Sequence, residues 1–185
     1  LQEFIIEFDD EKGLEQAIAG TETVFGAVGT TNKNVDGDKD AYKKVDYDIP
    51  VNAAKAAAKF GIYGFALVSS VGADPNNNHN FYLKLKGVTE ESVAKELIPQ
   101  TLIFRPSLLL GERKEKRFGE GIPQFFMPAI NLIIPSSKQK YKGIKAADLA
   151  KAMVLAAQKT PKGIHFFEYA KIMEMLRKPG LTAAV

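Results

Sequence analysis

The chain has 185 residues, 45% of them hydrophobic and 25% charged, which suits one globular domain over residues 1–185 and is short for two. Its formal net charge of +3 comes from Lys residues spread along the chain rather than gathered into an arm, so nucleic acid is not an expected partner. There is no Cys, which removes disulfides, thiolate metal sites and a Cys nucleophile together, is compatible with a reducing cytoplasm, and with no visible signal peptide gives a cytoplasmic expectation.

The chain opens on Leu1 with a strand-like segment, Glu3 to Phe8, already running, so its opening is expected to be missing. Asp9-Asp-Glu-Lys supplies acidic residues at a helix start, Leu14, Ala17 and Ile18 follow at helical spacing, and Gly20 stops the helix. Thr23 to Val28 is a continuous apolar run, the pattern of a strand covered on both faces in a parallel sheet. It ends in Gly29-Thr30-Thr31, where a glycine lets the backbone approach a ligand and the hydroxyls can donate to it; a plain strand-to-loop turn is the other reading. Asn32 to Asp40 is polar loop, and Ala41 to Phe60 has helical apolar spacing. Pro50, preceded by Asp46-Tyr-Asp48, predicts a bend or a rebuilt turn inside that helix.

Phe65 to Gly87 holds most of the chemistry. Phe65-Ala-Leu-Val68 reads as a buried strand that ends in Ser69-Ser70, and a loop rich in Gly, Asp, Pro and Asn leads to Tyr82-Leu-Lys-Leu-Lys86. On a helix, Lys86 lies at i+4 from Tyr82, roughly 6 Å between Cβ atoms, where a fixed ammonium favours the phenolate. Tyr141 and Lys145 repeat the spacing, but Gly143 lies between them, and as a strand the pair would be ~13 Å apart at ~3.3 Å per residue. His79 and His165 are far apart and lack metal-ligand spacing, so no metal is expected.

A strand ending in Ser-Ser, a Gly-containing loop, and Tyr-x-x-x-Lys opening a helix resemble the active site of the short-chain dehydrogenase/reductase superfamily. The wording Val68-Ser-Ser-Val-Gly-Ala-Asp-Pro75 and Asn80-Phe-Tyr-Leu-Lys-Leu-Lys-Gly87 is similar to its atypical Tat-interacting-protein-like oxidoreductases and their bacterial epimerase-like relatives. The resemblance implies that Tyr82 exchanges a proton with substrate, Lys86 tunes it and holds the nicotinamide ribose, and Ser70, or Ser69 beside it, orients the reacting carbonyl. It also sets Gly29, Thr30 and Thr31 against the dinucleotide.

Further along, Thr89 to Leu97 continues the helix that Tyr82 opens, Pro99 ends it, and Thr101 to Phe104 is another apolar strand. Arg105-Pro106-Ser-Leu108 resembles the family segment whose backbone passes the nicotinamide; a proline that merely closes a strand is the alternative. A small substrate region is expected around residues 107–145. Within it, Phe125 to Ile134 is apolar, interrupted by Pro128 and too short to span a bilayer, and can wall a pocket, bury in the core or face a partner. Tyr141 to Ile144 reads as a short strand, Ala146 to Ala157 as an amphipathic helix, Gly163 to Phe167 as a last strand and Glu168 to Arg177 as a last helix.

Alternating strands and helices predict an α/β fold with a Rossmann-like doubly wound parallel sheet. No Gly-rich strand-turn-helix fingerprint is present, since Gly26-Ala-Val-Gly29 lacks a third glycine and opens no helix. By the resemblance, Leu1 to Phe8 is the third strand, and a native protein longer by a βαβ unit of ~30 residues is expected. Residues 1–185 alone are then expected to bind dinucleotide weakly or not at all and to leave an apolar sheet edge open. The implied activity is hydride transfer between NAD or NADP and a small-molecule carbonyl or alcohol, with the choice of cofactor unread. A non-catalytic dinucleotide-binding regulatory or interaction module is the alternative, and a homodimer is compatible with either.

Overall fold

The structure is a computed structural model that describes residues 2–7, 10–111 and 141–177. Three elements carry the first half of the frame: helix α1 (Glu11–Ile18), strand β1 (Thr23–Gly26) and a long helical crossover. The crossover runs as α2 (Lys39–Lys43), one π-helical stretch (Lys44–Asp48) and α3 (Ile49–Lys59), with Pro50 in the first turn of α3. The helix is continuous through this point, Ile49 N donating to the Lys44 carbonyl, and the wider π turn just before Pro50 accommodates a ring that has no N–H. The expected rebuilding before Pro50 is therefore a π-bulge rather than a break, and it carries Asp46.

Strand β2 (Gly64–Val68) leads through a loop to α4 (Phe81–Lys95), then β3 (Gln100–Phe104) and the two-residue β4 (Leu109–Leu110). The last part is β5 (Ile144–Lys145), α5 (Ala146–Lys159), β6 (Gly163–Phe167) and α6 (Tyr169–Arg177). β1, β2, β3 and β6 form one parallel sheet in that order, with Phe25 opposite Ala66, Ala66 opposite Leu102 and Leu102 opposite His165. β4 and β5 pair separately, Leu109 opposite Ile144.

The continuous apolar runs of β2 and β3 are needed because alternate residues feed two different cores. Phe65 and Leu67 pack against Ile18, Val51, Ala54, Ala57 and Val93 from α1, α3 and α4. Ala66, Leu102 and Phe104 face the other way, onto Leu149, Ala152, Met153 and Ala156 of α5 and Ile172 of α6. Helices thus cover both faces, as the Rossmann-like expectation requires.

Some boundaries differ from the sequence reading. Residues 2–7 form no strand although Glu3 to Phe8 has the pattern, because a strand needs a neighbour to complete its ladder and none pairs with it among the described residues. β1 stops at Gly26 instead of Val28, and the polar stretch after it contains a 3₁₀ turn, Asn32–Val35, capped by Thr31. α4 ends at Lys95 rather than Leu97, which takes a left-handed backbone at φ 54°. The expected strand Tyr141 to Ile144 is realised only as Ile144–Lys145. Phe125 to Ile134 and most of the expected substrate region lie outside the described residues.

Candidate functional site

The chain leaves β1, β2 and β3 on the same side of the sheet, and a cleft of about 620 Å³ opens there. Its walls are the loop Ala27 to Thr31 after β1, Val68 to Ser70 at the end of β2, Pro106, Ser107 and Leu109 after β3, and Asp46, Tyr82 and Lys86 from the helices. A crevice outside the carboxyl ends of parallel strands is the general place for ligands in open α/β sheets, and the volume falls in the range of small-molecule sites.

α4 brings Tyr82 and Lys86 to one side of this cleft. Asn80 caps the helix, its side-chain oxygen accepting from Leu83 N at 3.1 Å, and so fixes where the first turn begins. Lys86 Nζ lies 5.9 Å from the centroid of the Tyr82 ring. Tyr82 is 37% exposed, whereas Lys86 is 6% exposed and pairs with Asp46, Nζ to Oδ1 at 2.8 Å. The other Asp46 oxygen accepts from Thr30 N at 2.7 Å. Tyr42, one turn before Asp46, donates its hydroxyl to the Thr30 carbonyl at 3.2 Å and stands edge-on to Tyr82. Burial first, then the charge of Asp46 and the neighbouring Tyr82, push the Tyr42 hydroxyl up to about 12. Tyr42 therefore remains a hydrogen-bond donor at neutral pH.

The two serines separate. Ser69 donates its hydroxyl to buried Glu90 on α4, and Glu90 also accepts both Nε and one terminal nitrogen of Arg105. The hydrogen bond to Glu90 raises the Arg105 guanidinium above its ordinary value. Ser69 still lines the cleft, but its hydroxyl is committed, whereas among the described residues the Ser70 hydroxyl has only a 3.3 Å contact to the Val71 carbonyl. Ser70 is the hydroxyl a ligand oxygen can take.

Gly29, Thr30, Thr31, Ser69, Ser70, Tyr82, Lys86 and Pro106 come together on this one cleft. Arg105 and Leu108 do not line it: the Arg105 guanidinium stacks 4.6 Å from the Phe166 ring, and Leu108 accepts from Ile144 N at 2.8 Å with its side chain outward. Leu109, the next residue, takes the wall position. The second Tyr-x-x-x-Lys match is divided between a 3₁₀ turn at Tyr141 and β5 at Lys145 and does not line the cleft. Sequence reading missed Asp46, Tyr42 and Glu90. Asp46 had one signal, a charge inside an otherwise apolar-spaced helix just ahead of Pro50; Glu90 had only its i+4 relation to Lys86.

Among the described residues no group of three or more His, Asp and Glu side chains could hold a metal ion, and no helix is long and apolar enough to cross a membrane. The residues do fit the nicotinamide end of a dinucleotide: a glycine and two threonines follow β1, and Ser70, Tyr82 and Lys86 offer hydroxyl and ammonium donors across the cleft.

No protein-family model matches the chain. Its fold is similar to that of UDP-glucose 4-epimerase from Thermotoga maritima, solved with UDP-glucose: TM-score 0.63 at 16% identity, over 94% of this chain and 66% of that one. The Bordetella bronchiseptica enzyme WbmG, solved with NAD, gives 0.61 at 15% identity, over 94% of this chain and 60% of that one. The class so defined is a Rossmann-like α/β fold, a parallel sheet with helices on both faces.

In sequence the chain is 34% identical over 161 residues to Protein FMP52-1, mitochondrial, of Scheffersomyces stipitis, covering 83% of this chain and 69% of that protein. It is 43% identical over 98 residues to Protein FMP52, mitochondrial, of Debaryomyces hansenii, covering 53% of this chain and 42% of that protein. The chain belongs to the FMP52 family. These names overturn the cytoplasmic expectation: the relatives are mitochondrial proteins, and the absence of Cys never distinguished one reducing compartment from another.

Proposed function

We propose that the intact protein is a mitochondrial oxidoreductase that moves hydride between NAD or NADP and a small carbonyl or alcohol, in the manner of the Tat-interacting-protein-like branch. The observation that carries this reading is the meeting of Ser70, Tyr82 and Lys86 on one cleft at the strand ends. The nicotinamide ring, when bound, supplies or accepts the hydride. Ser70 donates its hydroxyl to the substrate oxygen and fixes the carbonyl's direction. Tyr82 gives a proton to that oxygen as an alcohol forms and takes it back in the reverse reaction. Lys86 holds ribose hydroxyls with the donors that Asp46 leaves, and its charge stabilises oxyanion character near Tyr82.

The test is a carbonyl panel assayed with NADH and with NADPH on the intact protein. Tyr82→Phe should lower turnover by about 10²-fold or more, the usual contribution of a positioned proton donor. Unchanged turnover in Tyr82→Phe would remove Tyr82 from the mechanism. Tight dinucleotide binding with no turnover across the panel would favour the regulatory alternative.

A further inference from the structure

Asp46 is the only acidic residue among the described residues that line the cleft, and it is 1% exposed. Its two carboxylate oxygens serve different elements, one taking Lys86 Nζ from α4 and the other taking Thr30 N from the loop after β1. Its backbone carbonyl is fixed as well, accepting from Thr89 Oγ1 on α4 at 3.2 Å. Asp46 lies inside the π-helical stretch, a local departure from α-helix of the kind frequent at functional sites.

A buried ion pair is poor evidence for stability, because desolvating both charges offsets most of their attraction and an apolar pair of similar size often serves as well. A charged pair kept on a cleft wall therefore calls for another explanation. An ammonium has three donors, and Asp46 takes one of them, which orients the other two. The same carboxylate sets how far the Thr30 backbone stands from that ammonium.

We propose that Asp46 is a positioning residue for dinucleotide binding: a bridge whose two oxygens hold Lys86 and the Gly29–Thr31 loop at a fixed separation across the cleft. This rests on the reading of the cleft as a nicotinamide site. An amide replaces the carboxylate poorly here, since Asn turns one of the two accepting oxygens into an NH2 donor facing Lys86 Nζ or Thr30 N and has no charge to offer the ammonium.

The test measures dissociation constants of NADH and NADPH by calorimetry, with urea midpoints alongside, for the intact protein and four variants. Asp46→Asn should weaken the preferred dinucleotide by about tenfold or more, the scale of one charge-assisted hydrogen bond, and raise its KM more than it lowers kcat. Adding Asp46→Asn to Lys86→Met should cost less affinity than Asp46→Asn costs alone, because the Lys86 arm of the bridge is already gone and only the Thr30 arm remains to be lost. Since an unpaired buried charge can unfold a variant, Asp46→Leu with Lys86→Met removes both charges at once; it should fold and bind no more tightly than Lys86→Met. Wild-type affinity in folded Asp46→Asn would overturn the proposal while leaving the oxidoreductase reading intact, whereas wild-type affinity in the Leu/Met pair would overturn the proposal and remove Lys86 from the ribose site as well. Failure of the unmodified intact protein to bind either dinucleotide would overturn both.

Discussion

Two tyrosines stand edge to face beside the cleft, 6.5 Å between ring centroids, and burial divides their work. Tyr42 is buried and raised to about 12, from an ordinary 10.0. In the unfolded chain it ionises first, so the folded state holds the extra proton between those values and stability falls with rising pH. The contribution of Tyr42 is complete below pH 10 and lost as pH approaches about 12. Tyr42→Phe should flatten that part of the profile, which urea midpoints compared at about pH 9 and about pH 11 will read. The serines divide in the same way. Ser69→Ala strips a donor from buried Glu90 and should lower stability by about 1–3 kcal/mol. Ser70→Ala, with no strong bond of its own, should stay within about 0.5 kcal/mol of wild type and show its effect in turnover. Equal midpoints for the two alanine variants would contradict this division.

Among the elements, the contact between α4 and the loop before it sets the entry to the site. A Cβ at Gly87 would lie 2.2 Å from Pro75 N and 2.4 Å from the Asp74 carbonyl carbon. Both are backbone atoms and cannot rotate away. Helix propensity alone would favour Ala over Gly by about 1 kcal/mol, so the sign of Gly87→Ala separates propensity from packing. Packing should win. Thermal melting is expected to show a loss of several kcal/mol, in the range of overpacked positions, with the Ser70–Asn80 loop displaced from α4. A stabilised Gly87→Ala protein would mean that this loop is held by something other than α4.

The elements themselves were legible for a physical reason. β2 and β3 are buried on both faces, so their apolar runs have no polar interruption, and α4 begins at the asparagine that caps it. That Tyr82, Lys86 and Ser70 share one cleft was legible because strand end, loop and helix start lie within one short stretch. Asp46 and Glu90 were not, since their partners Thr30, Lys86, Ser69 and Arg105 come from other elements and no local pattern encodes the meeting. The Glu3 to Phe8 pattern failed for the converse reason, as alternation proposes a strand but only a neighbour makes one.

At the scale of the whole molecule, the cleft is assembled from the ends of three strands and from helices belonging to one layer, while α5 and α6 cover the opposite face of the same sheet. A ligand in the cleft ties together β1, β2, β3 and α4, which share that sheet with the second core. Binding should therefore stabilise the cooperative unit and not a loop alone. By mass action, dinucleotide at about 100 times its dissociation constant adds about 2.7 kcal/mol. For a chain of this size that amounts to a rise in Tm of roughly 5–11 °C. The intact protein should show a single shifted transition of that size with whichever of NAD or NADP it prefers. Lys86→Met should lose most of the shift at the same ligand concentration, since its hydrogen bonds to the ligand are gone. A shift of equal size in Lys86→Met would locate dinucleotide binding away from this wall of the cleft. No shift with either dinucleotide, at concentrations well above any physiological level, would remove the nicotinamide reading altogether.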